Sequence, residues 1–397
     1  MTHFGREITS HFSSAARREW LVTNGLGGWA SGTVAGANTR RYHGLFVPAL
    51  QPPLGRTVLL SKLNERAVVA GQTFALSSNE YGDGTLDPHG YRHIEDFRLD
   101  WGVPTWTFAL ADALLEKRLW MPHGRDTVYV SYTLRRASTP LELDVVAMVT
   151  HRDAHVETHG GNWQPQFTPV QGGALINPPD HGWRLLASSG ELEPVNAWHY
   201  NLLHRVETQR GLPDREDQFA LGRFSATLRP ADTWVLAATL ESDFDWDWAN
   251  SLAAEQTRAR GLVATAGLTS QPPWIQQHAL AADQFLVRRG PGTTVIAGYH
   301  WFSDWGRDTM IALPGLTLAT RRFDLAADIM ETCSHFISDG MLPNRFPDAG
   351  EQPEYNTVDA TLWYFHALDR YVAASGDLAL ARRLLPALAD IIAWHVR

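Results

Sequence analysis

The first part of the chain alternates short runs of β-branched, aliphatic and aromatic residues with turns rich in proline and glycine. Clear examples of such runs are TVLLSKL (Thr57–Leu63), LLEKRLWM (Leu114–Met121), TVYVSYTL (Thr127–Leu134), LELDVVAMV (Leu141–Val149) and TWVLAATL (Thr233–Leu240). Many short strands at this spacing are typical of a large antiparallel sheet structure. We therefore predict an N-terminal β-sandwich domain, with a connecting helix, over residues 1–265.

From Asp247 the apolar residues recur with a helical period. The run DWANSLAAEQTRARGL predicts the connecting helix, and TSQPP (Thr269–Pro273) marks a domain boundary. About five helices are predicted in residues 266–397, running from Trp274 to about Val287, from Asp308 with a kink or break at Pro314, around Leu325–Phe336, from near Thr357, and from Asp377. Because the fifth pattern is still running at Arg397, we expect the chain to stop inside a domain.

One glycine-rich stretch, LVTNGLGGWASG, has the Gly25-x-Gly27-x-x-Ala30 spacing of a dinucleotide-binding turn. Such a turn must open a helix and be followed about 20 residues later by an acidic residue. The residues after Gly28 show no helical period, and the next acidic residue is Glu65. We interpret the stretch as a turn between two strands and predict no cofactor.

Composition narrows the function classes. A chain of 397 residues favours two domains, and its net charge of −9 disfavours nucleic acid or an anionic membrane as a partner. Cys333 is the only cysteine, and the sequence has neither an apolar signal core nor a membrane-length apolar run, so a cytoplasmic protein is expected. The pair His151 and His155 lacks the context of a zinc motif, so no metal is predicted. The 16 tryptophans point to flat apolar platforms for a ligand.

Two clusters of polar and aromatic residues precede the second and fourth predicted helices. The stretch GYHWFSDWGRDTMIALPG contains Asp304, Trp305, Arg307 and Asp308, and LPNRFPDAGEQPEYNTVDATLWYF contains Arg345, Glu354, Tyr355, Asn356, Asp359 and Trp363. Asp308 and Asp359 could simply cap their helices. If alternate helices start on the same side, however, the clusters meet and form an aromatic floor with polar rims. That combination suits a sugar, which has an apolar face and a ring of hydroxyls.

These motifs also carry a family resemblance. The segments WGRDTMIALPGL, LPNRF and YNTVDATLWYFHAL resemble the glucosidase part of glycogen debranching enzymes of the amylo-α-1,6-glucosidase family. The segments REWLVTNGLGGWASGTVAGANTRRYHGLFVPAL and RTVLLSKLNE resemble the N-terminal domain of the bacterial and archaeal members. The resemblance extends from about Arg18 to about Tyr371. It leaves open whether the Arg40–His43 loop is structural or reaches the sugar site.

The resemblance implies an (α/α)6 barrel behind the β-sandwich, of which residues 266–397 would be the first, incomplete part. In similar barrels the Arg–Asp pair at the start of the second helix binds sugar hydroxyls, which implies substrate-binding roles for Trp305, Arg307, Asp308, Asn356 and Asp359. The implied partner is glycogen or a branched α-glucan oligosaccharide. The implied reaction is inverting hydrolysis of an α-1,6-linked glucose, which needs two carboxyls roughly 6.5 to 9.5 Å apart.

By helix count the resemblance places both catalytic carboxyls beyond Arg397, so we expect this chain to be slow or inactive by itself. Asp359 is the one candidate acid among the residues present, although it matches the fourth helix and not the sixth. The alternatives are another glucoamylase-like or trehalase-like glycosidase, a disaccharide phosphorylase, or a non-catalytic glucan-binding protein. The sequence pattern specifies no oligomeric state.

Overall fold

The computed structural model describes residues 2–161, 163–177, 182–346 and 352–396. The chain forms two compact units, and the second includes two short segments from the N-terminal part of the chain. The first, called here the β unit, comprises Met1–Asn24, Gly28–Pro48 and Thr57–Gln256. The second, the helical unit, comprises Thr257–Arg397 together with two N-terminal segments, Gly25–Gly27 and Ala49–Arg56.

Strands dominate the β unit. The strands are β1 (His3–Phe4), β2 (Glu19–Thr23), β3 (Trp29–Thr33), β4 (Gly44–Val47), β5 (Ala49–Gln51), β6 (Leu54–Val69), β7 (Gln72–Ala75), β8 (Ser78–Glu80), β9 (Leu86–His89), β10 (Ile94–Asp100), β11 (Val103–Leu110), β12 (Ala113–Trp120), β13 (Thr127–Arg136), β14 (Leu141–Asp153), β15 (Gln166–Val170), β16 (Gly173–Asn177), β17 (Trp183–Ala187), β18 (Glu193–Leu203), β19 (Arg215–Leu228), β20 (Thr233–Thr239), β21 (Leu286–Arg289) and β22 (Gly292–Val295). Of these, β5, the first residues of β6 and the pair β21–β22 lie in the helical unit.

Two nine-stranded sheets are formed by antiparallel pairing. One has the order β1-β10-β11-β12-β13-β20-β17-β16-β15, and the other has the order β18-β19-β14-β6-β4-β3-β2, with β5 and β7 also paired to β6. Along β14 the side chains of Leu141, Leu143 and Val145 are fully buried, whereas Glu142 is exposed and Asp144 half-buried. This alternation gives the second sheet one apolar and one polar face.

The apolar faces of the two sheets pack against each other. Trp20 on β2 contacts Trp106 on β11 with ring centroids 5.4 Å apart. Trp234 on β20 lies 6.3 Å from Phe224 on β19. These residues belong to one continuous buried apolar cluster drawn from both sheets. The predicted antiparallel β-sandwich is therefore confirmed for the β unit.

The helices are α1 (Arg6–Thr9), α2 (Phe12–Ala15), α3 (Arg205–Arg210), α4 (Trp248–Thr265), α5 (Pro273–Gln284), α6 (Gly306–Leu313), α7 (Phe323–Ser334), α8 (Asp359–Ser375) and α9 (Leu378–Val396), with a 3₁₀ turn at Gly90–His93 and a π-helical turn at Pro314–Leu318. Helix α4 is the predicted connecting helix, and α5 to α9 match the five predicted later helices. No helix in the described part of the chain has the length and apolar character needed to cross a membrane.

The first of the five helices is shorter than the apolar pattern predicts. The pattern predicts a helix to about Val287, but α5 ends at Gln284 and Leu286 begins β21, which pairs with β22. The run Phe285–Val287 is apolar in either conformation, so periodicity alone could not separate helix from strand there. Pro314 does mark the end of α6, since the π-helical turn begins at that residue.

Apolar side chains from α6 to α9 form a separate buried core in the helical unit. Met310 and Leu313 of α6, Ile329 of α7, and Tyr364 of α8 are all fully buried. Tyr364 also donates a hydrogen bond of 3.0 Å to the carbonyl of Met330, which satisfies its buried hydroxyl. The (α/α)6 barrel itself stays a prediction.

The glycine-rich stretch forms the turn between β2 and β3, with Thr23 paired to Trp29. The predicted turn between two strands is confirmed, since a strand and not a helix follows Gly28. Its tip belongs to the helical unit. Gly27 has φ of +95°, and a Cβ there would lie 2.7 Å from the carbonyl oxygen of Pro53. Gly27 is therefore required by both backbone conformation and close packing.

Candidate functional site

The first candidate cluster lies where the chain enters α6. Trp305 is the extended residue before the helix, and its carbonyl accepts a hydrogen bond of 2.8 Å from the amide of Thr309. The amide of Gly306 donates to the carbonyl of Asn344 at 2.9 Å. A Cβ on Gly306 would lie 2.1 Å from the carbonyl oxygen of Pro343, so only glycine permits this close approach.

The second cluster is joined to the first by an ion pair. Nε of Arg307, the second residue of α6, lies 2.7 Å from Oδ2 of Asp359, the first residue of α8. Nη2 of Arg307 also donates a hydrogen bond of 3.1 Å to Oδ1 of Asp359. The starts of α6 and α8 are therefore adjacent, as the sequence analysis expected. In the part of the chain that the structure describes, Arg307 and Asp359 are the two of the five predicted site residues whose side chains bond to each other.

The ion pair has consequences for proton transfer. The hydrogen bond from Arg307 is the main reason that the pKa of Asp359 is lowered from its usual value. A carboxyl with a lowered pKa is ionised at neutral pH, whereas a general acid must hold a proton there. This environment is unfavourable for the acid role that the sequence analysis considered for Asp359.

Neither of the two aspartates lies at the N-cap position of its helix. The residue preceding α6 is Trp305, and the residue preceding α8 is Val358; neither position makes a side-chain capping hydrogen bond. Asp308 is the third residue of α6 and is half-buried. Neither Asp308 nor Asp359 therefore occupies the N-cap position, although the Asp359 carboxylate accepts a hydrogen bond from the backbone of Ala360. The carboxylates remain close to the positive end of their helices, where negative charge is favoured.

The other members of the clusters differ in exposure. Asn356 is exposed in the segment before α8. Trp305 is half-buried, and its ring lies 5.5 Å from the ring of Phe302, which is 47% exposed. Trp363, one helical turn after Asp359, is 36% exposed. Exposed aromatic rings thus occur in both clusters near the charged pair.

Asp304 has a different role from its neighbours. Its place in the sequence groups it with Arg307 and Asp308, but its side chain is completely buried and forms a two-point ion pair with Arg289 on β21. Burial raises the pKa of Asp304, and the hydrogen bond from Arg289 opposes that shift. The Arg289 guanidinium also lies 4.4 Å from the centre of the Phe346 ring. Asp304 therefore supports the loop and does not form part of an accessible rim.

Arg345 and Glu354 form another partly exposed pair, with side-chain exposures of 40% and 38%. Nη2 of Arg345 donates to Oε1 of Glu354 at 2.8 Å, and the two residues also pair through their backbones. Trp305 pairs with Arg345 through the backbone as well. Tyr355 donates a hydrogen bond of 2.8 Å from its hydroxyl to the carbonyl of Phe336. These contacts attach the segment before α8 to the segment before α6.

Periodicity and motif spacing did not identify Arg56 as part of this region. Arg56 lies in one of the N-terminal segments of the helical unit and is only 2% exposed. Its Nη1 donates a hydrogen bond of 2.8 Å to the carbonyl of Phe302, three residues before Trp305. The other N-terminal segment contributes the carbonyl of Gly25, which accepts from the amide of Arg288 at 2.9 Å. The glycine and proline residues of the two segments predict tight turns, but they do not show which distant residues the turns contact.

Three residues of the Arg40–His43 loop bond to other residues of the β unit. Arg41 is buried and forms an ion pair of 3.0 Å with Glu157. The buried ring of His43 accepts a hydrogen bond of 3.0 Å at Nδ1 from the amide of Thr39. Arg40 donates from Nε to Glu19 at 2.9 Å. Of the two roles left open by the sequence, these contacts favour the structural one.

Two family models match the chain in sequence order. The glycogen debranching enzyme N-terminal model matches residues 18–235, and the amylo-alpha-1,6-glucosidase model matches residues 280–397. The two models thus match consecutive parts of a chain that belongs to one class of enzyme. Since the first match alone covers more than half of its length, the chain belongs to the glycogen debranching enzyme family, and the resemblance drawn from its motifs is confirmed.

Individual relatives are more distant. A glycogen debranching enzyme from Saccharomyces cerevisiae is 40% identical over 68 residues, which are 17% of this chain and 4% of the yeast protein. A bacterial glucoamylase solved in complex with acarbose is 10% identical, with a TM-score of 0.49 over 95% of this chain and 56% of its own. A provisionally named kojibiose phosphorylase from the human microbiome is 10% identical, with a TM-score of 0.45 over 83% of this chain and 49% of its own. The chain thus spans only part of the relatives it matches.

Proposed function

We propose that the chain acts on an α-glucan as part of a glycoside hydrolase that removes α-1,6-linked glucose from branch points of glycogen or limit dextrin. The family membership supports this proposal at the level of the enzyme class. The observation that carries it to particular residues is the Arg307–Asp359 pair, which joins the starts of α6 and α8 beside Trp305. On this proposal, α5 to α9 form part of an (α/α)6 barrel.

The five predicted residues have complementary roles in this proposal. Arg307 donates to sugar hydroxyls, and Asp308 accepts from them; Asn356 adds a donor and an acceptor. Trp305 packs against the apolar face of the sugar ring. Asp359 holds Arg307 in position through their ion pair. A fixed guanidinium loses less side-chain freedom when it binds a ligand than a free one does.

The proposed reaction is hydrolysis with inversion. One protonated carboxyl donates to the glycosidic oxygen, while one ionised carboxyl activates a water molecule on the opposite face of the sugar. The lowered pKa of Asp359 makes it a positioning residue in this scheme and not the acid. In this scheme the general acid and the general base are carboxyl groups other than those of Asp308 and Asp359.

Binding and hydrolysis are tested separately. Calorimetric titration with a glucosyl-branched maltooligosaccharide measures binding to wild type, Arg307→Ala and the control Arg382→Ala. Arg382 is an exposed arginine of α9. Hydrogen bonds to charged groups contribute about 1.5 to 3 kcal/mol, so Arg307→Ala should raise Kd roughly ten- to a hundredfold, and Arg382→Ala should leave it unchanged. Equal losses in both variants would contradict the assignment of the site.

The same branched ligand then distinguishes enzyme from binding protein. Glucose release is measured for this chain and for a version extended through further helices of the family. Release from the extended version with little or none from this chain would place the acid and base outside residues 1–397, because binding without general acid and base leaves the barrier high. Equal release would place the acid among the present residues, with Asp359 first. Binding without release by either version would favour a non-catalytic glucan-binding protein.

A further inference from the structure

The outer face of the second sheet carries a groove far removed in sequence from the helix-start clusters. Its volume is about 410 Å³, which falls within the range of small-molecule sites. Its lining comes from β6, β7, β8, β9, β14, β18 and β19, together with Ser77 and Tyr81, which flank β8. All of these residues belong to the β unit.

Strand register explains how the floor of the groove is built. Val146 of β14 pairs with Asn64 of β6 on one side and with Arg223 of β19 on the other. In the next row, two residues along, Asp144 lies between Arg66 and Ser225. Because side chains alternate along a strand, both rows project from the face opposite the buried core.

Hydrogen bonds hold the second row in place. Arg66 forms an ion pair with Oδ2 of Asp144. The hydroxyl of Ser225 donates to Oδ1 of Asp144 at 2.7 Å. Together these two contacts engage both oxygens of the carboxylate. The polar floor is therefore pre-organised, which reduces the entropy lost when a ligand binds.

A short β-hairpin forms one wall of the groove. The amide of Tyr81, which directly follows β8, donates to the carbonyl of Thr85 at 2.8 Å. The amide of Gly82 donates to the carbonyl of Asn201 on β18, also at 2.8 Å. Tyr81 and Asp87 thus line the groove from a backbone that is attached to the sheet.

The lining indicates the chemical class of the ligand. The charged lining consists of two arginines, Arg66 and Arg223, and three carboxylates, Asp144, Asp87 and Glu65. Because Glu65 forms an ion pair with Lys117, the remaining charges are balanced. Balanced charges disfavour a phosphate or a metal cation, each of which needs an excess of the opposite charge. Hydrogen-bond donors and acceptors placed next to apolar patches suit a neutral ligand with many hydroxyls. Val146 and the ring of Tyr81 supply such patches.

We infer that this groove is a second carbohydrate site, which binds a linear stretch of α-glucan within the β unit. The identity of the sugar rests on the proposed function, whereas the location of the site does not. A protein that holds one polymer at two sites gains effective affinity for that polymer without any new contact at the first site. The groove would therefore increase retention on glycogen more than binding of a small branched oligosaccharide.

Two variants address the groove, and one serves as a matched control. Val146→Trp places bulk on the groove floor, and Tyr81→Ala removes the aromatic wall. Thr227→Trp places the same bulk on the outer face of β19, where Thr227 is exposed and does not line the groove. Thr227 pairs with Glu142, four residues from Val146 on β14, so it tests for general effects of tryptophan on this face.

The assays are calorimetric titration with maltoheptaose and affinity electrophoresis in gels that contain glycogen. Steric exclusion should raise the Kd for maltoheptaose about tenfold or more in Val146→Trp, and loss of the ring should raise it roughly fivefold in Tyr81→Ala. Both variants should migrate faster than wild type through glycogen, while Thr227→Trp should match wild type. If Val146→Trp unfolds at a lower temperature than Thr227→Trp, then Tyr81→Ala decides the question.

Arg307→Ala separates this inference from the proposed function. Glycogen retention that survives Arg307→Ala but is lost in Val146→Trp and Tyr81→Ala supports the groove. Retention that is lost in Arg307→Ala but unchanged in both groove variants overturns the groove and leaves the proposed function standing. Binding of inorganic phosphate that disappears in Val146→Trp, with maltoheptaose binding unchanged, would assign the groove to an anion and also overturn the inference.

Discussion

Two ion pairs, one from each unit, show two different uses of charged residues. In the β unit, Arg152 and Glu216 are an ion pair with side-chain exposures of 3% and 0%. In the helical unit, the side chains of Arg307 and Asp359 are 35% and 46% exposed. A buried pair is committed to the fold because either partner alone would leave an uncompensated charge. A half-exposed pair contributes little to stability but remains available to a ligand.

Buried ion pairs are not exclusive to the β unit. The helical unit also contains a buried pair, Arg289 with Asp304, directly before α6. The site region is therefore layered, with a buried pair supporting a loop and an exposed pair at the helix start. Charged residues close in sequence, such as Asp304 and Arg307, can therefore have different roles because their depths differ.

The largest expected effect is on the buried pair of the β unit. Arg152→Ala leaves the carboxylate of Glu216 buried without this partner and should lower the free energy of unfolding by about 3 to 5 kcal/mol. Urea unfolding followed by tryptophan fluorescence measures the change. The comparison variant is Arg383→Ala, whose pair with Glu331 has side-chain exposures of 55% and 38% and should contribute about 0.5 kcal/mol. Similar losses in the two variants would contradict the distinction by depth.

The same buried pair predicts an acid transition. Although burial opposes it, the contacts with Arg152 and His204 lower the pKa of Glu216 from 4.5 to about 2. A lowered folded-state pKa stabilises the fold above pH 4.5, and this stabilisation is lost as the pH falls from about 4.5 towards 2. Unfolding midpoints measured across this range should decline less steeply in Glu216→Gln than in wild type. An identical slope in the two proteins would assign the acid sensitivity to other carboxyls.

An intermediate effect is expected for Arg56. Arg56→Ala leaves the carbonyl of Phe302 without this donor and should destabilise the fold by about 1 to 3 kcal/mol. It should also weaken glucan binding, since the affected loop leads into Trp305 and Arg307. Thermal unfolding and calorimetric titration are measured together, and Arg56→Lys should restore part of both. If binding is unchanged when the loop is destabilised, Arg56 supports the fold and does not position the site.

Arg307→Ala is expected to have the smallest effect on stability, although its effect on glucan binding is large. Arg307→Ala should leave the midpoint of thermal unfolding within about 2 °C of wild type, because exposed ion pairs contribute little. Differential scanning calorimetry tests this value on the same preparation used for glucan titration. A large drop in the midpoint would mean that the pair holds α6 and α8 together and would weaken its assignment as a ligand site.

Local pattern was sufficient for most of the secondary structure. The β-rich runs predicted the sandwich, and helical periods predicted α4 and the five helices that follow, because side-chain burial has the period of the element. The run near Val287 is the exception, since a short apolar run fits the end of a helix and a strand equally well. The turn at Gly25–Gly28 was also predicted locally, from the absence of a helix after it.

Motif composition predicted which residues cluster, but not how each is used. Repeated polar and aromatic residues before two helices correctly indicated that the starts of α6 and α8 are adjacent. Composition could not show that Asp304 is buried against Arg289, or that Asp308 and Asp359 do not lie at N-cap positions. Those outcomes depend on the depth of each side chain, which is set by residues far away in the sequence.

The sequence by itself determined the order of a β-sandwich followed by helices, the family, and the candidate residues, because these depend on local periodicity and on short motifs. Only the tertiary structure decided that Gly25–Gly27 and Ala49–Arg56 belong to the helical unit, that Arg307 pairs with Asp359, and that a groove lies across β6, β14 and β19. Strand register and long-range packing bring these residues together. Neither leaves a periodic signal in the segments that it joins.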